Sequence, residues 1–264
     1  MKIRMACVQM SANDDFEHNL HQAIALAHEA HQKGAELIAF PEMFLYRGSA
    51  SCYPKTLKET EHVIHKFQHM ACMGRVPILL GSILERSKQK SHYFNTSIFI
   101  SDKGRLLSHY QKIHLFDVKT PGKRKFTESK YFLSGKSAPV VSHSGIRFGF
   151  SVCFDLRFPE QFRSLAMRGA QVIFVPSNFL QETGKAHWHV LLRARAIENQ
   201  VFIVAPAQVG RNPETGHKSF GHSLIVDPWG KVLAEGSGDK PEIVIAELDL
   251  ALIRKLRQDF HVLA

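Results

Sequence analysis

Residues 148–160, Phe-Gly-Phe-Ser-Val-Cys-Phe-Asp-Leu-Arg-Phe-Pro-Glu, carry an apolar run to Cys153, then a polar turn, then a helical pattern from Pro159. A thiol at a strand-to-helix junction meets oriented backbone N–H groups, which favour a thiolate and can hold an anion. A buried free cysteine is also an ordinary small hydrophobe. Two other residues bear on the choice. Glu42 follows a proline at the end of the apolar run 35–40, where an unpaired carboxylate is costly to bury. Lys112 follows the hairpin strand 105–110 and precedes a mostly apolar stretch. Together they make a chemical set. Glu42 accepts the thiol proton. Lys112 stabilises the thiolate and then the oxyanion of a tetrahedral intermediate. Cys153 attacks a carbonyl-like carbon, with the N–H of Phe154 as a second oxyanion donor. The competing reading makes Glu42 and Lys112 a structural ion pair or surface charges.

The elements that must position these residues occur twice. Residues 2–10 form a strand, Asn13 and Asp14 cap a helix through Ala30 with Leu20, Ile24 and Ala27 inward, and Gly34 ends it. A short strand over 35–40, a helix over 57–74 and strands over 77–83 and 93–100 follow. The turn Asp102-Lys-Gly104 returns the chain as a strand over 105–110. The pattern of 34–44 recurs in 169–179, that of 95–107 in 221–233, and that of 77–83 in 201–207. Two such halves, paired sheet to sheet with helices outside, make an α/β fold: a four-layer α-β-β-α sandwich with two mixed sheets and an internal pseudo-two-fold repeat. One open doubly wound sheet is the alternative, but it does not explain why each half ends in the same hairpin. In the second half Ser177 and Asn178, followed by Phe179, stand where Glu42 and Met43 stand in the first. Strand ends are where α/β sheets place their ligands. A long loop with Pro121 and Gly122 follows Lys112 and is expected to be functional.

The totals narrow the classes. A chain of 264 residues, 44% hydrophobic and 22% charged, fits a globular protein with a sizeable core, read here as a single domain over 1–264. No apolar run reaches the ~20 residues of a membrane helix, and the N-terminus is too interrupted for an export signal. Cys7, Cys52, Cys72 and Cys153 show no metal or scaffold spacing. Reduced thiols and a cytoplasmic location are therefore expected. The net charge of +10 is dispersed, which favours an anionic small substrate over nucleic acid or a membrane surface. Among the 16 histidines, the helically spaced sets His18/His21, His28/His31 and His62/His65/His69 read as polar helix faces, so no metal is expected.

Pro-Glu42-Met-Phe, Tyr-Gln-Lys112-Ile-His-Leu-Phe-Asp and Cys153-Phe-Asp-Leu-Arg-Phe-Pro-Glu resemble, in order, the three signature regions of the nitrilase superfamily of carbon–nitrogen hydrolases. The likeness runs over nearly the whole chain. It implies a Glu-Lys-Cys triad, the α-β-β-α sandwich, a homodimer or larger homo-oligomer, and no metal or organic cofactor. It also implies a role for Glu128, which by itself reads as a solvated loop charge: positioning the lysine and sharing in proton transfer. The stretches 183–200 and 221–230 are similar to the amidase branch that holds omega-amidase and deaminated glutathione amidase. The stretch 205–222 leans toward the latter.

The activity this implies is hydrolysis of a small anionic linear amide to an acid and ammonia through a cysteine thioester. Deaminated glutathione is the first substrate and α-ketoglutaramate the second. An N-carbamoyl amino acid hydrolase uses the same triad. A Cys-His hydrolase with His114, His187 or His222 as base, and a basic binding protein on an inactive fold, are the remaining readings. Arg157, or a Lys or Arg of the 119–130 loop, is a candidate partner for a substrate carboxylate, although Arg157 could equally pair with Asp155. On a helix over 186–199, Arg193, Arg195 and Glu198 read as interface or sheet-edge ion pairs, and Trp188 as core.

Overall fold

The computed structural model describes residues 1–119 and 125–263. Pro121, Gly122, Lys123 and Arg124 of the long loop lie outside them. The first half runs β1 (Lys2–Gln9), α1 (Phe16–Gln32), β2 (Leu37–Ala39), α2 (Tyr53–Gly74), β3 (Ile78–Arg86), β4 (Tyr93–Ile100) and β5 (Leu106–Gln111). A small hairpin, β6 (Asp117–Lys119) with β7 (Lys125–Thr127), leads to the second half. This comprises β8 (Val140–His143), β9 (Ile146–Phe150), α3 (Pro159–Met167), β10 (Val172–Phe174), α4 (Gln181–Asn199), β11 (Phe202–Ala205), β12 (Leu224–Val226) and β13 (Val232–Glu235). The chain closes with β14 (Glu242–Asp249) and α5 (Ala251–Asp259).

The repeat is visible strand by strand. One sheet has the order β14-β1-β2-β3-β4-β5 and the other β13-β12-β11-β10-β9-β8. In each, three central strands are parallel and the flanking strands antiparallel. The edge strand β8 precedes its half, whereas its counterpart β14 comes from the far end of the chain. Strand alternation then builds the layers. Met5 and Cys7 of β1 join Phe99 of β4 and Phe148, Phe150 and Phe174 of the other sheet in one core. Ala6 and Val8, on the opposite face of β1, join Leu20, Ala23, Val63 and Phe67 of α1 and α2 in another. The rings of Phe99 and Phe148, 5.2 Å apart, mark the seam between the sheets. Trp188 is fully buried in that first core. No helix among the described residues is long and apolar enough to cross a membrane.

The starts of three helices differ from those read in the sequence. Asp15 caps α1 by accepting the N–H of His18, while Asn13 is occupied by the N–H of Asp15. Helix α2 starts at Tyr53 because Pro54 fits the first helical turn, where no N–H is needed. Helix α4 begins at Gln181, five residues before 186.

Two glycines let loops approach the strands that carry the site. A Cβ on Gly81 would lie 1.7 Å from the carbonyl oxygen of Phe40, and one on Gly135 would lie 2.1 Å from that of Gln111. Beside Gly81, Ser82 holds the turn after β2: its N–H donates to Pro41 O and its hydroxyl accepts the N–H of Met43. Gly81→Ala must push that turn away. The expected cost is about 1–3 kcal/mol, as for other overpacked sites. A thermal melt should show the lower Tm, and the same protein should show a reduced kcat/KM, because Glu42 moves with the turn.

Candidate active site

All eight residues singled out in the sequence, Glu42, Lys112, Glu128, Cys153, Phe154, Arg157, Asn178 and Phe179, line one cavity of about 340 Å³. Glu42 sits just past β2 and is 5% exposed. Its Oε1 accepts Lys112 Nζ at 3.0 Å and Asn95 Nδ2 at 3.0 Å. Lys112 follows β5 and is 2% exposed. Its backbone is pinned on both sides, its N–H to Asn95 O and its carbonyl to the N–H of Gly135. The ammonium also reaches Glu128 Oε2 at 2.8 Å and Oε1 at 3.1 Å. Glu128, in a short turn after β7, is held in place by the N–H of Phe116 and by Asn95 Nδ2.

The ammonium thus lies between two carboxylates. Burial works against its charge, but Glu128, Glu42 and Cys153 outweigh burial and hold its pKa well above the usual lysine range. It stays a cation at any working pH. The ion pair and the candidate catalytic set, posed as alternatives in the sequence, thus share the same side chains.

Cys153 opens the short turn Cys153–Arg157 that links β9 to α3. Its φ of +50° is in the left-handed region, where a side chain with a Cβ is strained. Met43, next to Glu42, has φ +51°. The N–H of Cys153 donates to Pro176 O, and buried Asp155 locks the turn. Asp155 accepts the N–H of Val152, the hydroxyl of Tyr110, and both the N–H and Nδ1 of His114. Arg195 Nε and Nη2 both donate to Leu156 O. Arg195 is buried, so it braces the turn that Cys153 opens and is no exposed interface residue, although it does pair with Glu198.

The environment of the thiol differs from the sequence expectation. Burial, then the charge of Glu42, raise the Cys153 pKa well above the usual thiol range. Lys112 and the N–H of Asn178 pull it down without reversing the shift. The resting group is a thiol, and reaction needs a base. Glu42 is the carboxylate beside it, and its charge acts on the thiol. The Cys-His alternatives do not form. His114 is paired with Asp155, His187 Nδ1 is 3.2 Å from Arg157 Nη1, and His222 is paired with Glu235. Cys7 shows the other fate of a cysteine, fully buried between the sheets with its thiol directed at Leu224 O.

Arg157 does not pair with Asp155. Its guanidinium lies over the rings of Phe179, at 5.3 Å, and Phe154, at 5.7 Å. Among the described residues no carboxylate lies within ion-pair distance of it. Two residues of the site were missed in the sequence. Asn95 bridges Glu42 and Glu128 through one amide. Arg47, 4% exposed, donates to Gln208 Oε1, Val209 O and Ser219 Oγ. Ser219 in turn donates to Asn178 Oδ1, so Arg47 ties the Glu42 loop to the segment behind the nucleophile. Burial lowers its pKa to about 10 against the opposing pull of Glu42.

The site can therefore deliver a thiol to a carbonyl carbon, take up its proton, and hold an oxyanion beside a permanent cation. The carbon–nitrogen hydrolase family pattern matches residues 4–258. A deaminated glutathione amidase of Synechocystis sp. is 39% identical over 257 residues, covering 96% of this chain and 94% of that protein. The Homo sapiens protein of the same name is 36% identical, covering 98% of this chain and 80% of its own length. The Saccharomyces cerevisiae Nit3 structure, described as a member of branch 10 of the nitrilase superfamily, superposes with a TM-score of 0.87 at 31% identity, over 98% of this chain and 94% of that one. The Caenorhabditis elegans NitFhit structure gives a TM-score of 0.93 at 35% identity over 99% of this chain, which spans 64% of that larger protein. The chain belongs to the carbon–nitrogen hydrolase family of the nitrilase superfamily and is a hydrolase of that family.

Proposed function

We propose that the protein hydrolyses the amide of a small anionic α-keto acid, with deaminated glutathione as its preferred substrate and α-ketoglutaramate as the alternative. The observation that carries the reading is the meeting of thiol, carboxylate and ammonium in one buried cavity. Cys153 attacks the amide carbon as Glu42 takes its proton. Lys112, with the N–H of Asn178 and the N–H of Phe154, receives the oxyanion. Collapse expels the nitrogen, which takes its proton from Glu42, and leaves a thioester. Water then attacks, deprotonated by Glu42, and the acid departs. Glu128 positions Lys112 and keeps its charge. From α-ketoglutaramate the leaving group is ammonia. In deaminated glutathione the scissile nitrogen is that of a peptide, so the leaving group is cysteinylglycine, and ammonia is not the product expected there.

Arg157 is the carboxylate partner in this reading. Two aromatic rings hold it in place at the cavity wall, and burial lowers its pKa, so an anionic substrate group would restore a partner to a half-desolvated cation. Phe154 and Phe179 form the wall around it. Both substrates release α-ketoglutarate, so one coupled assay reads both. A preference for deaminated glutathione supports the reading, and a preference for α-ketoglutaramate moves it to omega-amidase. Turnover of an N-carbamoyl amino acid alone overturns it. Arg157→Ala should raise KM by about 10-fold or more for either keto acid, the value of a lost charge-assisted contact, with a smaller change in kcat. An unchanged KM would remove Arg157 from substrate binding.

A homodimer belongs to the same proposal. Ile197 of α4, Trp229 and Phe260 are large apolar side chains left exposed, and the last two rings are 6.2 Å apart. Such a patch supports self-association, and light scattering of Trp229→Glu tests it. A cytoplasmic location is supported by four free cysteines.

A further inference from the structure

On the outer surface, away from the catalytic cavity, α4 meets the β12–β13 hairpin. His189 of α4, His222 before β12 and Glu235 at the end of β13 converge there, their three donor atoms all within 4.8 Å of one another. His189 Nε2 and His222 Nδ1 each lie 2.8 Å from the same oxygen, Glu235 Oε1. We propose that these residues bind one divalent transition-metal ion, with zinc the best fit to the donors.

Three observations carry the proposal. The donor set is two imidazole nitrogens and a carboxylate oxygen, which suits zinc, nickel or copper and not the oxygen-seeking calcium or magnesium. Tetrahedral zinc separates its ligand atoms by about 3.3 Å, so the two nitrogen–oxygen contacts need open by ~0.5 Å, and the two nitrogens, within 4.8 Å of each other, need close by ~1.5 Å at most. Second, the backbone holds His222 in a strained state. Its φ is +55°, its N–H is fixed on Ser237 O, and its carbonyl accepts Trp188 Nε1. A Cβ on Gly238 would stand 2.7 Å from His222 Nε2, so the neighbouring loop is bare where the ring must fit. Strain kept in place by three neighbours marks a site more than a random surface histidine. Third, the convergence is selective. His28, His31, His62, His65 and His69 line a cleft between α1 and α2, yet among the described residues only the His189 group brings three donors together.

The side chains are about one-third exposed, which leaves room for a water ligand on the open side. A bound ion would join α4 to the hairpin at a point one residue from Trp188. Each ring offers the facing nitrogen once its proton sits on the other one, so binding needs a change of tautomer and no redox partner.

The test is calorimetric titration of Zn²⁺ into the full, untagged chain, with Co²⁺ absorbance as a second probe. One site per chain is expected. His189→Ala and Glu235→Gln should each weaken it on the order of 10–100-fold or more, while His62→Ala leaves it intact. The Co²⁺ spectrum should lack a sulfur-to-metal charge-transfer band. Retained amide hydrolysis in the metal-free variants shows that lost binding is not lost folding. Zinc should also raise the Tm of the wild type and not of the two variants. Absence of saturable binding overturns the proposal. So does binding that survives both substitutions, or that disappears in Cys153→Ala or His62→Ala.

Discussion

Cys153→Ala is expected to lower kcat for a keto-acid amide by on the order of 10⁴–10⁶-fold, with the protein still folded. The size follows from the way catalytic groups act as a unit: once the nucleophile is gone, Glu42 and Lys112 have no bond-forming partner, and only binding and oxyanion stabilisation remain. The fold should tolerate the change. Alanine keeps the Cβ, so the backbone strain at φ +50° is no greater, and the lost sulfur was polar-facing toward Glu42 and the N–H of Asn178. Coupled assay of α-ketoglutarate together with a thermal melt separates the two effects. Glu42→Gln should also lose turnover, by about 10²–10⁴-fold, the usual worth of a general base, but for a different reason. Removing the carboxylate charge removes one cause of the raised thiol pKa. The thiol should then still react with a small electrophile.

The second large effect is on stability. Lys112→Met should destabilise the protein by about 3–5 kcal/mol, the cost of breaking a buried ion pair from one side. Glu42 and Glu128 then face each other in a cavity with the cation between them removed, while Asn95 supplies a single amide for both. The double variant Lys112→Met/Glu128→Gln should recover much of that loss, because one buried negative charge goes as well. Neither variant should be active. The same cluster predicts alkaline sensitivity. The folded pKa of Lys112 lies above its unfolded value of about 10.4. Its contribution is therefore complete below that value and is lost as pH rises through the folded one. Chemical denaturation across alkaline pH should show the decline in the wild type and a shallower one in the double variant. The raised thiol adds in the same direction, since unfolding frees Cys153 to ionise above its ordinary value of about 8.5.

How much of this was visible in the residues depends on what kind of signal each one gives. Glu42, Lys112 and Cys153 could be found because a charged or reactive side chain closes an apolar strand, and the repeat shows that the strand ends correspond. The sandwich followed from the repeated hairpin, which recurs in the structure as turns closed by Gly104 and Gly230, both at positive φ. Glu128 had no signal of its own: it lies in a polar loop, and only its fold-back onto Lys112 and Phe116 makes it part of the site. Asn95 had one that went unread. It shares a face of β4 with Phe99, which points between the sheets, so it is a polar residue at an inward position. Asp155, His114 and Tyr110 form a lock across long sequence separations, so proximity in sequence offers Arg157 as a partner for Asp155 and hides the real ones. The thiol pKa went the wrong way because the junction suggests helix N–H groups, whereas burial and a neighbouring carboxylate dominate. Sequence order does not carry burial.

The central claim is that Cys153 carries the acyl group. Acid-quenched intact-mass analysis during turnover of α-ketoglutaramate, followed by peptide mapping, tests it most directly. The account predicts an α-ketoglutaryl thioester on Cys153, absent from the buried Cys7 and the exposed Cys52 and Cys72, and absent altogether from Cys153→Ala. Full turnover by Cys153→Ala, or an acyl group found on one of the other three cysteines, would contradict it.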